Sequence, residues 1–399
     1  MSLERKPKTV AILGTLDSKG EEHLFLKEAI LSRGLKAMLI NIGTKGVPSF
    51  PPDLDLGARG DIPREQAVSE VVQKATAEVL ALQRKGLISG IISCGGGTGT
   101  HMATSVMRAL PLGFPKVMVS TVVSRDLSSI VSTSDITLIH SVADLMGINS
   151  VTGRILDQAA AAICGMVHSM WRAPKRRARI ALTSFGFITQ AAQWARSSLE
   201  RKGYEVVAFH ANGTGGRAME EMALGRCFDG VLDLALHELA DEMLGGYCKG
   251  AWSARLGSLG GGHVPRVVVP GGLDCAVLEF TKDTVAAEHR NRKLFFYDFR
   301  SAIGLNPQES ARLGEEVARR LNSYHGPVQI LIPALGWSEA DGPGKPLYDP
   351  ESREAFLDAL KRDLSRPIPI KRLQAHINEK SFVEVAVRAM EELLEGVGS

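Results

Sequence analysis

Three times in this chain an apolar run of strand length empties into glycines and hydroxyls, then into residues that suit a helix. Lys8-Thr9-Val10-Ala11-Ile12-Leu13 leads into Gly14-Thr15-Leu16-Asp17-Ser18-Lys19-Gly20. Ile91-Ile92-Ser93-Cys94 leads into Gly95-Gly96-Gly97-Thr98-Gly99-Thr100, and Val206-Val207-Ala208-Phe209-His210 into Asn212-Gly213-Thr214-Gly215-Gly216-Arg217. Junctions of this kind belong to strand–helix–strand units, which restricts the chain to a mostly parallel sheet covered by helices. They also leave free backbone N–H groups at helix starts, where the helix dipole favours a phosphate or carboxylate.

At 399 residues the chain exceeds one ordinary core, so two domains are expected. The basic, proline-containing stretch Trp171-Arg172-Ala173-Pro174-Lys175-Arg176-Arg177-Ala178-Arg179 reads as the linker, which predicts domains over 1–174 and 175–399. The first half predicts strands at 8–14, 35–42, 87–93, 116–121 and 136–141, with helices at 20–33 and 64–84. The second predicts strands at 179–183, 204–210, 228–234, 266–270 and 293–298, with helices at 189–201 and 382–394. Ser32-Arg33-Gly34-Leu35 and Arg201-Lys202-Gly203-Tyr204 occupy the same slot in each half. The expectation is α/β: two Rossmann-like, three-layer domains with mostly parallel sheets. The Gly-, Pro- and Asp-rich segment 338–350 reads as a surface loop able to act as a lid.

A formal charge of +3 gives no support for a nucleic-acid or membrane partner, and the apolar runs are too short to span a bilayer. Five scattered cysteines without a CxxC pair suit reduced thiols in the cytoplasm. The N-terminus lacks the apolar segment of a secretion signal.

Ligands of open α/β sheets collect at the C-terminal ends of the strands. In the first half this rule selects Gly14, Thr15, Asp17, Ser18, Lys19, Gly95, Gly96, Gly97, Thr98, Gly99, Thr100, Ser120 and Thr121. Hydroxyls, a lysine and a carboxylate around free N–H groups suit nucleotide phosphates with Mg2+, Asp17 being the metal ligand. Lys19 opposes the dipole of the helix it precedes, a placement that an anion would explain. The spacing fits neither the Walker loop nor G-x-G-x-x-G, so the residues alone leave the ligand open. In the second half, His210, His237 and Asp274 are candidate acids and bases. Thr214, Arg217, Glu220, His376 and Asn378 are candidate substrate contacts, Arg217 suiting a carboxylate or phosphate. In His237-Glu238-Leu239-Ala240-Asp241 the second histidine of a zinc motif is replaced by Asp241, leaving one His and one Asp a helical turn apart that could hold a metal.

These motifs, together with Val119-Ser120-Thr121, Ser141-Val142-Ala143-Asp144-Leu145-Met146-Gly147-Ile148-Asn149, Glu238-Leu239-Ala240-Asp241-Glu242, Val269-Pro270-Gly271-Gly272-Leu273-Asp274 and Ala375-His376-Ile377-Asn378, run in one order along nearly the whole chain. In them the chain resembles the ATP-binding domain family of the tomato mosaic virus resistance protein. The resemblance implies two Rossmann-like subdomains, ATP on loops of the first, and a homo-oligomer, either a dimer or a dimer of dimers. It departs from the family at Val123-Ser124-Arg125-Asp126 and at Ser132, where a glycine is expected before Thr133-Ser134-Asp135.

The leading expectation is therefore a cytoplasmic ATP-binding protein with Mg2+ and an interdomain ligand crevice. A hydrolase or lyase acting on a small carboxylate or carbonyl compound is the first alternative. A module that captures and inhibits a protein partner is the second.

Overall fold

The computed structural model describes residues 8–58, 60, 62–251, 253–257 and 264–397. They fall into two compact units, Met1–Ala173 and Pro174–Ser399.

The first unit runs β1 (Thr9–Gly14), α1 (Gly20–Leu31), β2 (Lys36–Asn41), β3 (Leu54–Asp55), α2 (Arg64–Arg84), β4 (Gly90–Gly95), α3 (Gly97–Arg108), β5 (Lys116–Ser120), α4 (Ser128–Val131), β6 (Thr137–His140) and α5 (Thr152–Val167). The sheet order is β3-β2-β1-β4-β5-β6, all parallel. Alternate residues of a strand face opposite sides of the sheet, and β1 is apolar on both. Val10 and Ile12 pack with Leu26, Ile30, Leu156 and Ile163 of α1 and α5. Ala11 and Leu13 pack with Val71, Val79, Met102 and Val106 of α2 and α3. The result is a three-layer unit.

The second unit runs β7 (Arg179–Ser184), α6 (Thr189–Arg201), β8 (Glu205–His210), α7 (Thr214–Leu224), β9 (Gly230–Ala235), α8 (His237–Leu244), β10 (Arg266–Gly271), β11 (Cys275–Leu278), β12 (Leu294–Phe296), β13 (Ser301–Gly304), α9 (Pro307–Asn322), β14 (Val328–Pro333), α10 (Pro350–Asp363), β15 (Ile370–Leu373) and α11 (Lys380–Val397). Its main sheet is parallel, in the order β15-β14-β10-β9-β7-β8. Ile180 and Leu182 pack with Ala195 and Leu199 of α6 and Phe382 and Met390 of α11, while Ala181 packs with Met219 of α7. Read from β8, this order repeats the first sheet from β2, so β7 answers to β1, β8 to β2, β9 to β4 and β10 to β5. The shared slot before the second strand is visible too. Gly34 and Gly203 have φ of 79° and 88°, and a Cβ at either would meet nothing within 4 Å.

Two sequence expectations need correction. Residues 293–298 do not join the parallel sheet: Leu294–Phe296 pairs antiparallel with Ser301–Gly304 in a small sheet, β11-β13-β12. The intervening 297–300 is far too short for the crossover that a parallel pair needs. Segment 338–350 is not a free surface loop, because Ser338, Ala340, Asp341 and Leu347 are buried. Among the described residues no helix is long and apolar enough to cross a membrane.

Because open space surrounds both glycines, replacing either probes backbone conformation alone. Gly34→Ala and Gly203→Ala are each expected to lower unfolding stability by about 1 kcal/mol, read from urea unfolding midpoints.

Candidate functional site

In the first sheet the chain order reverses beside β1, with β2 on one side and β4 on the other. Loops leaving β1 and β4 diverge to opposite faces there, opening a crevice at the strands' C-terminal ends. A cleft of about 200 Å³ occupies this place, lined by Thr15, Asp17, Ser18, Lys19, Thr44, Lys45, Arg64, Gly96, Gly97, Thr98 and Gly99. A second hollow of about 520 Å³ shares Asp17, Ser18 and Lys19 and extends past Glu22, Ser49, Phe50 and Met146.

Lys19 immediately precedes α1 without capping it, and its ammonium donates to the Leu145 carbonyl. Asp17 Oδ2 accepts from the Lys45 backbone N–H at 2.7 Å. Arg64 Nη2 donates to Thr98 Oγ1 at 2.9 Å. Helix α3 begins at Gly97 with no side-chain cap, so its first-turn N–H groups have no partner within the helix. A Cβ on Gly97 would meet nothing within 4 Å, and its φ is not in the left-handed region.

Other predicted residues of this set have internal roles. A Cβ on Gly14 would lie 2.5 Å from the His23 ring, and one on Gly95 3.3 Å from Gly99 Cα. Thr100 and Ser120 are fully buried, their hydroxyls 2.6 Å apart, and they tie the β4–α3 turn to β5. Thr121 follows β5 and stands beside Gly96. Burial pushes the Cys94 thiol well above its ordinary range, which suits packing and not nucleophilic chemistry. Ser132 has φ 55°, in the region that favours the glycine expected there from the family resemblance.

Lys45 and Arg64 were not among the residues predicted from sequence. Applying the strand-end rule to β2 would have found Lys45, in Gly43-Thr44-Lys45-Gly46. Arg64 had no local signal, because the turn of chain before α2 brings it back to the cleft.

The second unit closes the corresponding places. The counterpart of the cleft, between the ends of β7 and β9, holds Phe185 stacked on His237, with ring centroids 3.7 Å apart. The third glycine loop lies at the end of β8, which answers to β2 and not to β4. Its helix start is occupied by the protein's own carboxylate: the Gly213 N–H donates to Glu238 Oε2 at 2.7 Å, and a Cβ on Gly216 would collide with the same carboxyl group.

Glu238 belongs to a buried ion network. Arg255 binds Asp233 through two nitrogens at 2.6 Å, Glu238 at 2.5 Å and Glu220 at 3.0 Å; Arg266 binds Glu220 at 2.6 Å and Asp233 at 2.9 Å. Burial alone would raise Asp233, but Arg255 and then Arg266 hold it below the usual carboxylate range. Burial outweighs Arg255 at Glu238 and raises it. Glu220, expected to face a ligand, is therefore a structural group.

The remaining second-half candidates are engaged separately. Arg217 pairs with Glu221 at 2.8 Å, and Thr214 Oγ1 donates to Asn212 Oδ1. His210 ends β8, its ring centroid 6.3 Å from that of Phe185. His376 Nε2 donates to the carbonyls of Ser338 and Asp341, and Asn378 joins Phe187 O to the Ala191 N–H. The His376 bonds help to hold segment 338–350 down. His237 is buried; burial opposes its protonated form, but the Asp241 carboxylate raises its pKa well above the ordinary value. Asp274 Oδ2 accepts from Ser338 Oγ at 2.6 Å, and burial followed by the Asp341 carboxylate lifts its pKa to about 7.

The geometry defines an α/β protein with two Rossmann-like units, of which the first carries an open polar cleft where its strand order reverses. The chain belongs to the Uncharacterised protein family (UPF0261): residues 8–172 match its N-terminal domain and residues 177–394 its C-terminal domain. It is 35% identical to a UPF0261 protein of Clostridium tetani, over 97% of this chain and 99% of that one. It is 33% identical to the UPF0261 protein RA0729 of Rhizobium meliloti, again over 97% and 99%. It is 30% identical to the ToMV resistance protein Tm-1 of Solanum lycopersicum over 96% of this chain, spanning 55% of that protein's length.

Two outcomes test the closed half. Arg255→Met leaves Asp233 and Glu238 buried without their main cation and is expected to cost about 3–5 kcal/mol of unfolding stability, read by urea denaturation. The raised Asp274 means the folded state keeps a proton that the unfolded chain loses from pH 3.8 upward. Its contribution to stability is therefore present at low pH and is lost as pH climbs to about 7. Asp274→Asn should remove that decline from the pH profile of thermal unfolding.

Proposed function

We propose that the first unit binds a nucleoside triphosphate, ATP, with its phosphates over the starts of α1 and α3. Gly97 carries the reading. Neither its backbone conformation nor its neighbours require a glycine, whereas a phosphate approaching the first-turn N–H groups of α3 does. Lys19, Lys45 and Arg64 supply positive charge around that point, and Thr15, Ser18 and Thr98 supply hydroxyls. Asp17, the one carboxylate among the described residues lining the cleft, suits Mg2+. The two adjoining hollows together fall within the roughly 300–1,000 Å³ of small-molecule sites, with the larger one left for ribose and base. The family resemblance supports ATP in particular. The reading of a carboxylate-processing enzyme built on Arg217 has no comparable support, since that guanidinium is paired with Glu221.

Isothermal calorimetry with ATP and Mg2+ tests this. Lys19→Ala is expected to bind roughly 10-fold more weakly, the loss of one charge-assisted contact. Gly97→Val is expected to abolish the heat while keeping the wild-type circular dichroism spectrum. Wild-type heats from both variants, or none from the wild type, would contradict the proposal.

A further inference from the structure

The second unit carries an arrangement that neither the nucleotide reading nor the charge network uses. His237 and Asp241 lie one turn apart on α8, and Cys248 follows on the loop leaving that helix. One donor atom from each, an imidazole nitrogen, a carboxylate oxygen and a thiol sulfur, all lie within 4.8 Å of one another, and all three side chains are buried.

The histidine is the informative member. Its Nδ1 lies 2.9 Å from the Gly272 carbonyl, an acceptor, so Nδ1 carries a proton and Nε2 is the nitrogen turned inward toward Asp241. Phe185 stacked on the ring fixes its plane. Asp241 Oδ1 is 3.3 Å from Nε2 but outside hydrogen-bonding direction, and Nε2 is buried with no hydrogen-bond partner. An orphaned ring nitrogen at this depth costs about 1–3 kcal/mol unless something sits before it. The carboxylate is equally well held. Oδ1 accepts from the Val277 N–H at 2.8 Å and Oδ2 from the Cys248 N–H at 2.7 Å, which draws the cysteine's own backbone to the aspartate.

Nitrogen, oxygen and sulfur donors converging on one point are a zinc-type set. Metal-binding histidines characteristically donate their other ring N–H to a carbonyl or carboxylate, the role of Gly272 here. In a tetrahedral site, donor atoms stand about 3.3–3.8 Å apart. The His237–Asp241 separation of 3.3 Å already matches, and Cys248 Sγ lies within 4.8 Å of both donors.

We propose that His237 Nε2, Asp241 Oδ1 and Cys248 Sγ bind one divalent transition-metal ion of the zinc class. The ion displaces the thiol proton of Cys248 and the proton on His237 Nε2 to solvent and leaves a fourth position open. This site is independent of nucleotide binding in the first unit.

Full-length protein, treated with a chelator and titrated with Co2+, gives the test. One equivalent should produce the intense visible bands of tetrahedral cobalt and a near-ultraviolet thiolate-to-cobalt band. That thiolate band should vanish in Cys248→Ser and persist in Cys227→Ser. X-ray absorption on the wild-type cobalt protein, which depends on no variant folding, should find sulfur alongside nitrogen or oxygen. Absence of one-equivalent binding, a cobalt shell without sulfur, or a thiolate band that survives in a folded Cys248→Ser would overturn the assignment.

Discussion

The first-turn N–H groups of a helix need an acceptor, and the glycine loops of this chain meet that need in two ways. At α7 the acceptors are internal: Asn212 Oδ1 takes the first-turn Gly215 N–H, and Glu238 takes the N–H of Gly213 just before the helix and fills the space that the glycines leave. At α3 no side chain caps the helix, and Arg64, Lys19 and Lys45 line the cleft at its start. Both loops are glycine-rich for a physical reason. In one, protein approaches closely; in the other, the space is open to a ligand.

Closing the second unit in this way has consequences for its whole interior. A carboxylate placed at α7 needs a cation, and Arg255 supplies it while also binding Asp233 and Glu220. Arg266 adds a second cation, pairing with Glu220 and Asp233, so two guanidinium groups hold three carboxylates. Breaking one member strands the others in a medium where an unpaired charge is expensive. The polar residues that made this half look like a catalytic crevice are thus mostly its framework. His237, Asp241 and Cys248 stand apart, because their donor atoms converge without satisfying His237.

Much of the architecture is legible in the residues. Helices 64–84 and 189–201 are marked by apolar periodicity and clear stops, and Arg64–Arg84 and Thr189–Arg201 have those bounds. The central strands are apolar on both faces, as strands of a buried parallel sheet must be. The aromatic run Phe295-Phe296-Tyr297 reads as a strand, but strand direction depends on its connection, which brings it back antiparallel. Segment 338–350 has the composition of a loop, and residues distant in sequence, among them His376 and Asp274, help make it part of the interior. The cleft was half legible. Local pattern marks Thr15, Asp17, Lys19 and the glycines before α3, whereas Arg64 reaches Thr98 from 34 residues away. That Glu238 plugs one glycine loop and nothing caps the other is a fact of tertiary structure alone.

The central claim is that the first unit's cleft receives the phosphates of a nucleotide. Photoaffinity labelling with an azido-ATP, followed by peptide mapping, addresses its location directly. The label should fall on peptides lining the two hollows of the first unit, such as those containing Ser49 and Phe50 or Met146, and unlabelled ATP should suppress it. Labelling confined to the second unit, or labelling that excess ATP leaves unchanged, would contradict the account.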